Sequence, residues 1–278
     1  MIDKEAREYL LGVIQVNHVN GFLTDNENSD SFQLAIPDNY KIVDTEQYEQ
    51  NPNRFRADFS TQFIAEFIGY VKNFADEKTA VFIDTKSFTA SAIVDFGAVG
   101  EPLWAEHKAT LNLGKQPEYV ALTHAMDKLH GQVGFADFME DNVECLVFLD
   151  AAKQPIDFGK VLTGIRKLTT SSISESTTEV TDTKFSASAF DEIEVKSKDN
   201  KLPAGFSFTC VPVDGLSAYD FNCRLRFIAE NGTPKIKYRI VGMEQKLQLM
   251  GQEFRTLIQE GLGKDIPVYV GCMATKYE

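Results

Sequence analysis

Apolar residues recur at helical spacing over 63–74, where Phe63, Ile64, Phe67, Ile68, Val71 and Phe74 share one stripe. Asp58 or Ser60 is placed to cap that helix. A shorter stripe of Ala6, Tyr9, Leu10, Val13 and Ile14 predicts an N-terminal helix, and "FQLAIP" at 32–37 reads as a strand stopped by Pro37. After residue 79 the period changes to two. "AVFID" at 80–84 and "FTASAIVDF" at 88–96 are joined by "TKS" and read as a hairpin, followed by a strand in "HKATLNL".

The middle of the chain returns to helical spacing. Leu122, Ala125, Met126 and Leu129 predict a helix over 117–130, and Phe158, Val161, Leu162, Ile165 and Leu168 another over 157–168. Between them, Phe135, Met139, Val143, Leu146 and Val147 predict a helix whose opposite face carries Asp137, Glu140, Asp141 and Glu144. From about 169 the chain is rich in Ser, Thr and β-branched residues, which favours exposed antiparallel strands over a linker. Met243, Leu247, Met250, Phe254, Leu257 and Ile258 mark a long helix over 243–261, and "PVYVGC" at 267–272 would close a sheet. The pattern predicts an α+β protein of mostly antiparallel sheets with several packed helices and a helical middle segment. A division into 1–155 and 156–278 is expected, unless the two run on as one continuous domain.

The most informative stretch is "CRLRFIAENGTPKIKYRIV". Asn231-Gly232 suits a two-residue type I′ turn, because both central positions need positive φ. That turn fixes the register. Phe227 then faces Ile236, Leu225 faces Tyr238 and Cys223 faces Ile240, giving one apolar face. The other face sets Arg226 against Lys237 and Arg224 against Arg239, with Lys235 alongside. Like charges directly opposite are destabilising, so this face needs a negative neighbour. That neighbour is either an acidic element of the protein, such as "DEIEV" or another subunit, or a phosphate backbone. Tyr238 falls on the apolar side, so no aromatic stacking platform accompanies the cations, which counts against single-strand binding.

Composition adjusts this picture. The chain of 278 residues carries a formal net charge of −13, with 21 Phe and one Trp. Phe-rich cores are expected. So strongly acidic a surface argues against non-specific nucleic-acid or anionic-membrane binding by the molecule as a whole, and leaves basic partners or a locally basic face. No stretch approaches the ~20 apolar residues of a membrane span. Cys145, Cys210, Cys223 and Cys272 form no CxxC pair and read as reduced core residues of a cytoplasmic protein.

Candidate chemistry is sparse. "GLGKD" at 261–265 is no phosphate loop, and its Gly261 is placed to end a helix. His107 is expected to be a half-exposed structural histidine, with a base or ligand role as the alternative. Asp137, Glu140, Asp141 and His107 could hold a hard cation. Acids in the first turns of a helix also favour its dipole, and that structural reading is preferred. No cofactor motif is present.

The run "WAEHKATLNLGKQPEYVALTHAMDKLHGQVGFADFMEDNVECL" resembles a family of uncharacterised phage and prophage proteins that includes YfdQ. The resemblance rests on His107, Ala109, Pro117, Glu118, Tyr119, Phe135, Ala136, Phe138, Glu140, Asp141 and Asn142, and extends more weakly over most of the chain. The family usually carries Trp at Tyr119 and an Asp-His pair at Glu106-His107. The resemblance brings no known reaction with it. It implies an accessory protein in the cytoplasm of a bacterial host. The first expectation is a non-enzymatic, self-assembling homo-oligomer that binds a host or phage macromolecule. The second is a nucleic-acid- or nucleotide-binding factor using Arg224, Arg226, Lys235, Lys237 and Arg239, and the third a metal-dependent hydrolase.

Overall fold

The computed structural model describes residues 12–13, 50–52, 54–169 and 202–273. The chain divides into two compact units, Met1–Phe55 and Arg56–Glu278. In the first, Gly12 and Val13 are helical. The rest of the predicted N-terminal helix, the strand at 32–37 and the Ser/Thr-rich stretch with "DEIEV" lie outside the described residues.

The second unit is α+β, and its described residues form two main sheets. The first comprises β1 (Ala57–Thr61), β2 (Ala80–Asp84), β3 (Thr89–Ile93), β6 (His107–Asn112) and β13 (Val268–Val270), in the order β1-β6-β3-β2-β13. Its centre is antiparallel, with the predicted β2–β3 hairpin at its heart, and both outer pairings are parallel. A two-stranded ribbon, β4 (Gly97–Ala98) and β5 (Glu101–Pro102), precedes β6. Helices α1 (Ile64–Phe74) and α5 (Met243–Leu262) pack with this sheet, burying Phe67, Val71, Met250, Phe254 and Ile258. Phe254 meets Phe88 edge-on, with ring centroids 6.0 Å apart.

The second sheet is antiparallel throughout. It comprises β7 (His130–Gly131), β8 (Leu146–Leu149), β9 (Pro155–Ile156), β10 (Gly205–Cys210), β11 (Tyr219–Glu230) and β12 (Thr233–Ile240), in the order β7-β12-β11-β10-β8-β9. Strands from both sides of residue 155 build it. Helices α2 (Pro117–Ala125), α3 (Gln132–Asp141) and α4 (Phe158–Arg166) line one face. Tyr238 marks the core there. It is 1% exposed, packs among Phe135, Phe138 and Phe206, and donates a 2.6 Å hydrogen bond to the carbonyl of Leu122. The expected Phe-rich core is present.

Several local expectations are corrected. Asp58 and Ser60 lie in β1, and Phe63 is the N-cap of α1. The predicted 117–130 helix stops at Ala125, which leaves Leu129 exposed. The helix predicted from the stripe Phe135 to Val147 breaks after Asp141. There the Asn142 side chain donates back to the Phe138 carbonyl, a 3₁₀ turn (Val143–Cys145) follows, and β8 begins. Val143 and Val147 are consequently exposed. Gly261 sits inside α5, where a Cβ would fall 2.2 Å from Ile68 Cδ1, and the C-cap is Gly263 at φ 88°. The close approach of two helices, not a turn, requires that glycine. "PVYVGC" closes the first sheet by pairing in parallel with β2. Cys210 and Cys223 are buried as expected, Cys145 is half-buried, and Cys272 is exposed.

Candidate nucleic-acid interface

The β11–β12 hairpin has the register its turn dictates. Asn231 and Gly232 take φ of 50° and 76°, and the ladder pairs Glu230 with Thr233, Arg226 with Lys237 and Arg224 with Arg239. Cys223, Leu225, Ile236, Tyr238 and Ile240 face the helices and are buried. Alternation therefore commits Arg224, Arg226, Lys235, Lys237 and Arg239 to the other face. Arg226 and Arg239 are exposed, and the other three are half-exposed. Asn222, Val241, Val147 and Ile228 share this outer face and are exposed too.

One neutralising contact lies at the sheet edge. Lys237 Nζ is 3.2 Å from Asp127 Oδ1. Asp127 reaches β12 because α2 ends early. It takes φ 61°, and its N–H donates to the Tyr238 carbonyl at 2.9 Å. The sequence reading placed Asp127 within a helix and missed this role. Its one available signal was that Asp tolerates the left-handed region better than most residues. Arg226, Lys235 and Arg239 make no ion pair among the described residues. The face thus keeps a basic strip although the chain is strongly acidic.

The metal candidates do not come together. His107 is 4% exposed, in β6 of the first sheet, with Nε2 3.0 Å from the Tyr70 hydroxyl. The half-exposed histidine of the sequence reading is thereby corrected: alternation along β6 turns it inward with Ala109 and Leu111. Burial lowers its pKa and outweighs the opposing pull of Asp95. Asp137, Glu140 and Asp141 instead sit in the second half of α3, against the second sheet; the first turn of that helix carries no acid, which corrects the helix-start reading, and Glu140 pairs with Arg166 at 2.8 Å. Glu144 lies beyond the helix, in the 3₁₀ turn. Among the described residues no three His, Cys, Asp or Glu side chains are grouped as metal ligands.

Asp137 and Asp141 do line a polar cleft of about 500 Å³ between α2 and α3, with Glu118, His124 and His130. His130 is occupied there, its Nε2 donating to the Ala125 carbonyl at 2.7 Å. No described helix is long and apolar enough to cross a membrane.

Neither a curated protein nor a solved structure gives a significant match to this chain. Residues 13–273 match the profile of a family described as "Uncharacterized conserved protein (DUF2303)". That match spans nearly the whole sequence, so the chain belongs to the DUF2303 family.

Proposed function

We propose that this protein is a non-enzymatic accessory factor of a phage or prophage, working in the bacterial cytoplasm, that binds nucleic acid through the outer face of its second sheet. The observation that carries the reading is that Arg226, Lys235 and Arg239 stand without an ion pair among the described residues on a face that no described helix covers, with Arg226 directly opposite Lys237 and Lys235 diagonal to it. Side chains so placed repel one another, and a line of phosphates relieves that repulsion along its whole length. Helices on one face and, among the described residues, an uncovered basic sheet on the other is an arrangement suited to a nucleic-acid platform. The phage assignment rests on the motif resemblance around residues 104–146.

Fluorescence anisotropy with a labelled 20-nucleotide strand, over a range of salt, tests the reading. A strip of three to five contacts gives log Kd a slope of roughly 2 to 3.5 against log salt for a single strand. Arg226→Glu with Arg239→Glu should reduce that slope by more than 1 and weaken binding at least tenfold at low salt. Binding that neither depends on salt nor responds to these changes would refute it. The competing occupant is the acidic surface of a second copy. In that case no nucleic acid binds, and light scattering shows a dimer that the same charge reversals dissolve.

A further inference from the structure

The outer face has a gap in it. Gly205 lies on this face, paired with Leu149 of β8 on one side and Arg224 of β11 on the other. A Cβ at Gly205 would sit 2.3 Å from the Cys223 carbonyl oxygen, so the strand cannot carry a side chain at this point. A glycine inside a strand marks a place where backbone or ligand approaches closely. Here a hollow of about 300 Å³ opens, bounded by Leu149, Asp150, Lys153, Gly205, Asn222 and Val241.

The lining has a definite chemistry. Leu149 and Val241 offer aliphatic walls. The Asn222 side-chain amide makes no hydrogen bond to any described residue, and it presents both a donor and an acceptor. Asp150 is already engaged, accepting from the Gln154 N–H at 2.7 Å to hold its turn. The basic strip begins beside the hollow: Arg224 is the next outward residue after Asn222, about 7 Å along the strand. Arg239 stands directly across from it. A flat ligand with polar edges and an attached anionic chain fits this layout. The volume is at the small end of ligand pockets, ~300–1,000 Å³, which suits a base better than a whole folded ligand.

We infer that the hollow over Gly205 receives one unpaired base of a single strand whose phosphates follow Arg224, Arg226, Lys237 and Arg239. This rests on the nucleic-acid reading above and narrows it to single strands. A base held in a duplex cannot enter a pocket in a sheet face, whereas a single strand turns its bases out freely. Such faces usually hold bases by stacking on aromatic rings. This one carries none among its described outward residues, and the hollow takes over that role.

The test compares the intact protein with Asn222→Ala and Asn222→Leu, both at an exposed strand position, with circular dichroism to verify folding. Anisotropy is measured with a 20-nucleotide DNA strand, the same strand carrying abasic sites, and the matching duplex. The expected result is at least a tenfold preference for the single strand and a five- to tenfold loss in both variants. The salt slope should be unchanged, and the loss should vanish on the abasic strand. Equal affinity for duplex and single strand, or variants that bind as the parent does while Arg226→Glu still weakens binding, would overturn the pocket and leave the basic strip standing. Absence of binding to all three ligands would overturn both.

Discussion

Arg226 stands in the middle of the basic strip, and neutralising it should make the protein more stable. Lys237 is directly opposite, Lys235 and Arg239 are diagonal to it, and Arg224 lies two residues back on the same strand. Two unit charges about 8 Å apart in water repel by about 0.5 kcal/mol. Four such neighbours place an upper limit of about 2 kcal/mol on the cost of the Arg226 charge. Asp127 offsets Lys237, and long side chains splay apart, which leaves about 1 kcal/mol at 10 mM salt, where the screening length is roughly 30 Å. At 1 M salt that length is about 3 Å and the cost disappears. Arg226→Gln keeps the length of the side chain and removes the charge. Urea denaturation should find the variant more stable by about 1 kcal/mol at 10 mM salt, equivalent to about 2–4 °C in Tm for a unit of this size. It should find the two proteins equal at 1 M. A variant no more stable than the parent at low salt, or a gain that survives 1 M salt, would refute the reasoning. The strip would then be neutralised within the protein and would have no need of a polyanion.

Other parts of the structure give independent checks. Glu253 is drawn upward by burial, but hydrogen bonds from the Ser217 hydroxyl, the Tyr219 hydroxyl and the Ser217 N–H outweigh this and hold its pKa below the usual 4.5. A depressed carboxyl stabilises the fold above its unfolded pKa, and that contribution fades as pH falls through the folded value. Glu253→Gln should therefore cost about 1–2 kcal/mol near pH 7, with the difference from the parent closing as the pH falls below the usual 4.5 and through the lowered folded value in pH-dependent denaturation. Tyr238→Phe removes the buried hydrogen bond to Leu122 and should cost about 1–2 kcal/mol by the same method, with the denaturant slope unchanged. His107, kept neutral by burial, should titrate by NMR with a midpoint below 6.5. Between the two values the unfolded chain takes up the proton first, so this residue removes stability as pH drops below about 6.5.

The parts of the fold that were legible in the sequence are those decided by neighbours in the chain. Asn231-Gly232 dictates a turn, the turn dictates the register, and parity then puts Tyr238 inward and Arg226 outward. The candidate interface was readable for that reason. What was not readable depends on distant partners. Leu146–Leu149 is a short apolar run that suits either a helix end or a strand, and β10, more than fifty residues later, makes it a strand. Val268–Val270 could have joined either sheet, and the placement of α5 against the first sheet delivers it to β2. Asp127 needed the unwinding of α2, which no periodicity announces. The hollow over Gly205 is a property of three paired strands, whereas in the sequence Gly205 is one glycine among eighteen.

Lysine footprinting reports whether the basic strip is where a strand binds. The protein is treated with an amine-acylating reagent, with and without a saturating 20-nucleotide strand at low salt, and labelling is read by mass spectrometry. Lys235 and Lys237 should become protected, while Lys72, Lys160 and Lys246, on helices α1, α4 and α5, react as before. Unchanged labelling of Lys235 and Lys237 in a sample shown to have bound the strand would contradict that assignment.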